Sequence, residues 1–227
     1  MNQTTERREA VQVSVDVVLL TLVEQQLHAV LLRRAAAPFA GVWALPGGFI
    51  HTAEDADTKA SAARVLQTKV GIEGAYLEQL ATFSGPARDP RGWSVAVAYC
   101  ALLPAQSLPP QRDDLCVVPV SALPQLPFDH RAILDAALAR VRSKSLYSSL
   151  PVHLCGETFT LPQLQQVYEN VLGEPLNKVS FRRKMDEMDW LEAVPGAMQG
   201  GGAHRPAQLY RAKPGFSQML ALSARGL

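Results

Sequence analysis

Residues 45–72 read LPGGFIHTAEDADTKASAARVLQTKVGI, and this stretch decides what kind of fold the first half of the chain builds. A short apolar segment closes on a glycine pair, Gly47 and Gly48. Acidic residues follow, and then residues 57–70, rich in Ala, Lys, Gln and Leu, read as a helix. Gly71 stands where a helix C-terminus wants glycine, because only glycine takes the left-handed conformation there without a steric cost. Strand-like segments flank this helix. Residues 11–34 read as two strands, VQVSVDVVLLTLV and LHAVLLRR, split by a polar turn at residues 24–26. YLEQLATF (76–83) and WSVAVAYCALL (93–103) read as two more, with SGPARDPRG (84–92) as the loop between them. A second helix is expected over residues 129–141. Asp129 is its N-cap, and Ile133, Leu134, Ala137, Leu138 and Val141 share its apolar face. Strands before and after a helix point to an α+β fold with a mixed sheet.

Bulk properties narrow the classes of function. Of the 227 residues, 48% are hydrophobic and 19% charged, enough apolar material for a buried core and too little charge for a largely disordered chain. The formal net charge is +1, so any interaction with nucleic acid must rest on a local basic surface. No apolar run is long enough to span a membrane, and MNQTTERREA at the start lacks the apolar centre of a signal peptide. Cys100, Cys116 and Cys155 form neither a zinc-spaced pair nor a disulfide framework. They are expected to be small buried hydrophobes in a reducing cytoplasm.

The plan changes near residues 143–149, which sets the expected domains at 1–145 and 146–227. In the second, Thr160 and Gln163 have capping-box spacing, and Leu161, Leu164, Tyr168 and Val171 recur at helical intervals up to Gly173. After the turn GEPL, Asn177 caps a further helix whose buried side carries Phe181, Met185 and Met188. A strand LEAV, a Gly-rich turn over residues 195–206 and a strand AQLYRA complete the helix–turn–helix–wing order. The second helix presents Lys178, Arg182, Arg183 and Lys184 in its first half and Asp186 and Glu187 in its second. From residue 142 to 215 nine Lys/Arg face seven Asp/Glu, so the basic charge is clustered rather than abundant. Cations at a helix N-terminus, where backbone amides also point outward, suit docking on phosphate and entry into a major groove. The candidate DNA-binding set is Asn177, Lys178, Ser180, Arg182, Arg183 and Lys184, with His204 and Arg205 at the wing tip and Gln208 on the following strand.

Two further motifs carry chemistry. LPGGFIHTAE, continued by RVLQTKVGI, resembles the Nudix box, whose signature is a glycine, five residues, a glutamate, seven residues, then Arg-Glu-apolar-x-Glu-Glu-x-Gly-apolar. Gly48 and Glu54 match at the family spacing, and Arg64 and Gly71-Ile72 match after two extra residues. The three glutamates of the second half become Val65, Thr68 and Lys69. In the family these carboxylates hold Mg²⁺ or Mn²⁺, hard cations that need oxygen ligands. A lysine about 4 Å from such a site costs roughly 4 kcal/mol for each unit of charge on the ion. No catalytic residue, metal site or cofactor is therefore expected. Glu54, Asp55 and Asp57 read as ordinary N-terminal helix charges no less readily than as part of a metal site. Lys69 reads either as a cation that takes over part of the metal's work on ligand phosphates or as a solvated surface lysine. In the RDPRG segment, Arg88, Asp89 and Arg91 suit phosphate or carboxylate recognition, or a β-turn with solvated charges. A similar segment lies near the ligand cleft in the Nudix branch that handles ADP-ribose. Arg34 completes the candidate ligand-binding set with Lys69, Arg88, Asp89 and Arg91. Trp93, at a strand start, is expected in the core.

From about Val13 to Arg211 the chain resembles the Nudix-related transcriptional regulator family, NrtR. FTLPQLQQVYENVLGEPLNKVSFRRKM, GGGAHRPAQLYR, WALPGGF and RDPRGWSVAVAY carry the resemblance. It implies a Nudix α/β/α sandwich followed by a winged helix-turn-helix. It also implies a repressor, of NAD-metabolism genes among others, that binds palindromic double-stranded operator DNA as a homodimer paired through the Nudix domains. The effector it implies is ADP-ribose or a related nucleotide. The rival readings are an active Nudix pyrophosphatase with an accessory domain, and a protein- or RNA-interaction module built on the basic helix.

Overall fold

The computed structural model describes residues 11–200, 206–216 and 220–223. The first half holds β1 (Gln12–Val23), β2 (Gln26–Arg33), β3 (Trp43–Ala44), β4 (Gly47–Phe49), α1 (Thr58–Val65), β5 (Tyr76–Gly85), β6 (Ser94–Leu102), β7 (Leu115–Pro119) and α2 (His130–Ser145). The seven strands form one mixed sheet in the order β3-β2-β1-β6-β5, with β4 added to β1 and β7 to β2. Its centre is a parallel pair in which Gln12 to Leu20 of β1 run beside Ser94 to Leu102 of β6, and every other pairing in the sheet is antiparallel.

The unbroken apolar run of β1 follows from this central position. Val15, Val17 and Leu19 point to one face and meet Ala62, Val65 and Leu66 at α1. Val18 and Leu20 point to the other and meet Ile133, Leu134 and Ala137 of α2. A strand covered on both faces is apolar at consecutive positions, because the side-chain period of two sends alternate residues to opposite layers. The expected α/β/α sandwich results.

Local corrections have local causes. Asp57 caps α1 through the Ala60 amide, but the helix loosens into a π turn over Leu66–Val70 before Gly71 closes it at φ 84°. Asp129 sits at the cap position of α2 without bonding the helix amides, because its carboxylate is engaged by Arg88. Trp93 is 45% exposed rather than packed in the core, since the loop that precedes β6 turns it outward. Cys100 and Cys155 are buried, whereas Cys116 is half-buried on β7 at one side of β2. The short strands β3, β4 and β7 were not expected from sequence. Two to five residues without alternation carry too little periodicity to be seen.

Beyond α2 lie β8 (Phe159–Thr160), α3 (Leu161–Leu172), α4 (Lys178–Met188), β9 (Leu191–Gln199) and β10 (Ala207–Ala212). The capping box forms as expected: the Thr160 hydroxyl accepts from the Gln163 amide while the Gln163 side chain accepts from the Thr160 amide. Asn177 Oδ1 accepts from the Val179 and Ser180 amides and starts α4. β9 is longer than the LEAV segment and runs through Pro195 and Gly196. It is the outer strand of the sheet β8-β10-β9, where a proline's missing amide removes no interior ladder bond. Phe159, Leu164, Tyr168, Phe181, Met185 and Trp190 form the core of this part.

The two halves share buried contacts. Leu150, Leu154 and Val171 pack into the same core as α2. The Tyr168 hydroxyl donates to the Ser148 carbonyl at 2.8 Å. His153 stacks on Tyr76 of β5 at 4.3 Å between ring centroids. Beside them the Glu78 carboxylate accepts from the Tyr76 hydroxyl and pairs with Lys144. Burial pushes the His153 imidazole down to about 4, from an ordinary value near 6.5. Between those values the unfolded chain holds a proton that the folded chain lacks, so stability falls as pH drops through that window. His153→Gln is expected to remove this component. Between about pH 7 and about pH 4.5 the wild type should lose about 1–2 kcal/mol more stability than the variant in urea titrations. Parallel stability curves would contradict the assignment.

Candidate functional site

The altered Nudix box is held by a single ion pair. Arg64 grips both oxygens of Asp55 at 2.7 Å and also donates to the Phe49 carbonyl and the Ser61 hydroxyl. The Arg64 guanidinium holds the Asp55 carboxyl well below the usual carboxylate range. Of the three positions that replace glutamates, Val65 is buried, the Thr68 hydroxyl donates to the Arg64 carbonyl at 2.8 Å, and the Lys69 ammonium donates to the Gly47 carbonyl at 2.5 Å. A Cβ on Gly48 would lie 3.3 Å from Val65 and 3.4 Å from Lys69 Nζ, so the glycine loop lies close against this helix. A Cβ on Gly47 would meet Asp16 Oδ1 at 2.2 Å, which leaves room for glycine alone. These donors do not fit a hard divalent cation. Asp57 caps α1, Asp55 is committed to Arg64, and Glu54 is exposed beside His51. Among the described residues no three Asp, Glu, His or Cys side chains are grouped so that they could hold a metal ion.

What the box faces instead is a cleft of about 440 Å³ lined by Arg33, Arg34, Gly47, Thr68, Lys69 and Arg112 among others, with Asp114 as its acidic member. Arg112 pairs with Asp114 and donates to the Lys69 carbonyl at 2.7 Å. Arg34 donates to the Pro38 carbonyl and lies 4.8 Å from the centre of the Phe128 ring. Phe39 meets Phe128 edge-on at 4.9 Å, and both carry positive φ, 63° and 54°, a backbone conformation bulky residues rarely adopt. Burial pulls the Lys69 ammonium below its usual range, and Arg34 and Arg64 add to the effect. Burial likewise lowers Arg34, with Arg91 next. Cations that repel one another in a partly desolvated cleft favour an anion between them.

The RDPRG loop divides its residues between two tasks. Arg88 turns inward. Its fork binds both oxygens of Asp129 at 2.9 Å, its Nη1 donates to the Ser94 hydroxyl at 3.1 Å, and Asp16 lies at 3.4 Å. His130 completes this cluster, 3.7 Å from Asp16, while its Nδ1 accepts from the Leu45 amide. Burial pushes the Asp16 carboxyl up and the His130 imidazole down. Arg88, read from sequence as a ligand contact, is thus spent on internal carboxylates. Asp89 is buried as well, and its carboxylate accepts from the Arg91 amide and guanidinium. That clamp lays Arg91 over Phe49 at 5.1 Å, half-open to solvent. Of the five ligand candidates, Arg34 and Lys69 line the cleft and Arg91 is half-open to solvent.

On α4 the side chains of Lys178, Ser180, Arg182 and Arg183 are exposed, and Arg183 is 3.6 Å from Glu187. Lys184 corrects the expectation. It lies three residues after Phe181 on the inward face, is buried, and its Nζ is 3.1 Å from Ser223 Oγ. Asn177 Oδ1 is used as the helix cap. The Gln208 side-chain Nε2 lies within hydrogen-bond reach of the Val194, Ala197 and Leu209 carbonyls, so it fastens the irregular β9–β10 register rather than facing outward. His204 and Arg205 lie outside the described residues.

Residues 11–139 match the NUDIX domain family, and residues 151–212 match the NrtR DNA-binding winged helix domain. The chain belongs to the NrtR family. It is similar to the "ADPR responsive transcriptional repressor NtrR" of Acinetobacter baylyi, 38% identical over 203 residues that cover 87% of this chain and 80% of the relative. Its fold is similar to that of Shewanella oneidensis NrtR in complex with a 27mer DNA. There the TM-score is 0.87 at 38% identity, over 95% of this chain and 99% of the other. The Nudix domain of the same Shewanella protein complexed with ADP ribose matches at TM-score 0.54 and 36% identity, over 61% of this chain and 94% of that one.

Sequence reasoning passed over Asp16, Arg33, Arg112 and His130, which this NrtR-family member brings to the cleft or the cluster behind it. A lone acid inside the apolar run VSVDVVLL was the available signal for Asp16. Removing Arg88 leaves two carboxylates, one of them buried, without their cation. Arg88→Ala is therefore expected to cost about 3 kcal/mol of stability in urea unfolding, as for other broken buried pairs. A loss below about 0.5 kcal/mol, in the range of ordinary surface substitutions, would return Arg88 to the ligand-contact role.

Proposed function

We propose that this chain is a transcriptional repressor whose grip on operator DNA is set by ADP-ribose or a related nucleotide held in a Nudix domain without hydrolytic activity. The observation that carries the effector half is the Lys69 ammonium seated on the Gly47 carbonyl where the Nudix box places a metal-holding carboxylate. With Arg34, Arg91 and Arg112 nearby, it supplies fixed positive charge for a diphosphate but no means of activating water. Phe49 and the Phe39–Phe128 pair add aromatic surface beside those cations. The names of the Acinetobacter and Shewanella relatives support the same effector and the same role.

In this reading residues 1–145 bind effector and pair two chains, and residues 146–227 bind DNA. The exposed Lys178, Arg182 and Arg183 neutralise phosphate or reach base edges in the major groove. A homodimer paired through its Nudix domains presents two such helices to a palindromic operator, and genes of NAD metabolism are the candidate targets. Effector binding then regulates by differential affinity: it favours a pairing in which the two helices no longer match the half-site spacing. Among the described residues no helix is long and apolar enough to cross a membrane.

Gel shifts with DNA upstream of the protein's own gene, with and without ADP-ribose, test the whole reading. Retention that ADP-ribose alters and that weakens steeply with salt is expected. Arg182→Ala and Arg183→Ala should each weaken operator binding by about tenfold or more while leaving calorimetric ADP-ribose affinity unchanged. Full operator affinity in both variants would show that α4 is not the DNA-facing element. Lys69→Ala should weaken ADP-ribose binding in calorimetry, and unchanged affinity would remove Lys69 from the effector site. Brisk release of AMP from ADP-ribose and Mg²⁺ would overturn the non-hydrolytic assignment.

A further inference from the structure

The outward face of α4 carries one side chain that charge does not explain. Val179, the second residue of the helix, is 77% exposed. No other large hydrophobic side chain among the described residues is as open. Valine gains nothing from burial there, and its branched Cβ is poorly suited to a helix, where alanine or lysine is preferred. Its position is nonetheless tightly specified. The Val179 amide donates to the Asn177 cap at 3.1 Å, which fixes the first turn from which the side chain projects. Arg182 and Arg183 follow it at intervals of three and four residues, so it heads a stripe whose next turn carries two cations, with Asp186 a turn further on. The opposite stripe, Phe181 and Met185, is buried.

Resting on the DNA-binding reading of α4, we propose that Val179 is a specificity-determining residue that reads the C5-methyl group of a thymine in the major groove. The argument is one of chemical exclusion. A valine offers neither donor nor acceptor, so it cannot take part in the hydrogen-bond code of the base edges. The apolar feature that a major-groove edge presents to it is the thymine methyl. The first turns of a docked recognition helix are those that meet base edges, and Val179 stands there between Lys178 and Ser180. Flanking cations hold the backbone register on phosphate, and the valine then distinguishes thymine from a base without the methyl group.

The test uses the full-length protein. Duplexes retained by the wild type are first selected from a random library. Each thymine of the selected site is then replaced in turn by deoxyuridine, which keeps the pairing and removes only the methyl group. One thymine in each repeated half of the site is expected to show about a fourfold loss of wild-type affinity, the effect of withdrawing one buried methyl group. Val179→Ala should bind the unmodified site about fourfold more weakly and be indifferent to deoxyuridine at that same position. Alanine is the better helix former and the site is exposed, so this variant keeps its fold. Wild-type binding that no deoxyuridine changes, or a deoxyuridine effect that persists undiminished in Val179→Ala, would overturn the valine assignment and leave DNA binding by α4 intact. Failure to retain any duplex preferentially would overturn both.

Discussion

A guanidinium placed inside a protein must be surrounded by carboxylate or carbonyl oxygen, and Arg88 imposes that constraint on the first half of this fold. Its partners come from separate places: Asp16 from the middle of the central strand, Ser94 from the start of the parallel neighbour, and Asp129 from the residue before α2. His130 packs against the same cluster and accepts the Leu45 amide just ahead of the glycine pair. One buried cation thus joins the sheet centre, the RDPRG loop, the start of α2 and the lip of the cleft. With one of the charged partners missing, the remaining charges would be stranded at several kcal/mol. The cluster ties these elements to one another.

In the proposed function the cleft of a catalytic scaffold changes purpose by a change of sign. The Nudix helix and glycine loop lie close against one another. Valine, threonine and lysine at the glutamate positions remove the oxygen cage, and the lysine ammonium occupies the ground between helix and loop. A resident cation attracts the same phosphates a metal would attract, but it carries no water to activate. Binding and chemistry depend on different atoms, and in the proposed function they separate.

The winged half is not a free appendage. Leu150, Leu154 and Val171 enter the core beneath α2, the Tyr168 hydroxyl closes on the Ser148 carbonyl, and His153 lies flat on Tyr76. α2 therefore runs from the charge cluster behind the cleft, where its first residue sits, to the junction, where its last turn is bonded to Glu78. In the proposed function this continuous contact is the physical route by which cleft occupancy biases the position of α4. A packed junction shifts between discrete arrangements rather than deforming gradually.

Several features were legible in the sequence because they are local. Runs of β-branched and aliphatic residues marked the first two strands, Gly71 and Gly173 marked helix ends, and the Thr160–Gln163 spacing marked a capped start. The absence of glutamates from the box also needed no structure, since the identity of a side chain decides whether it can ligate a metal. The fates of Arg88, Lys184 and Gln208 were not legible. Each is a polar side chain whose neighbours in space are far away in sequence: Asp16 lies 72 residues from Arg88, Ser223 39 from Lys184, and Val194 14 from Gln208. Composition and spacing state which side chains carry charge. Whether a charge faces water or a buried counter-charge depends on which distant segments the fold brings together, and only the tertiary structure decided that.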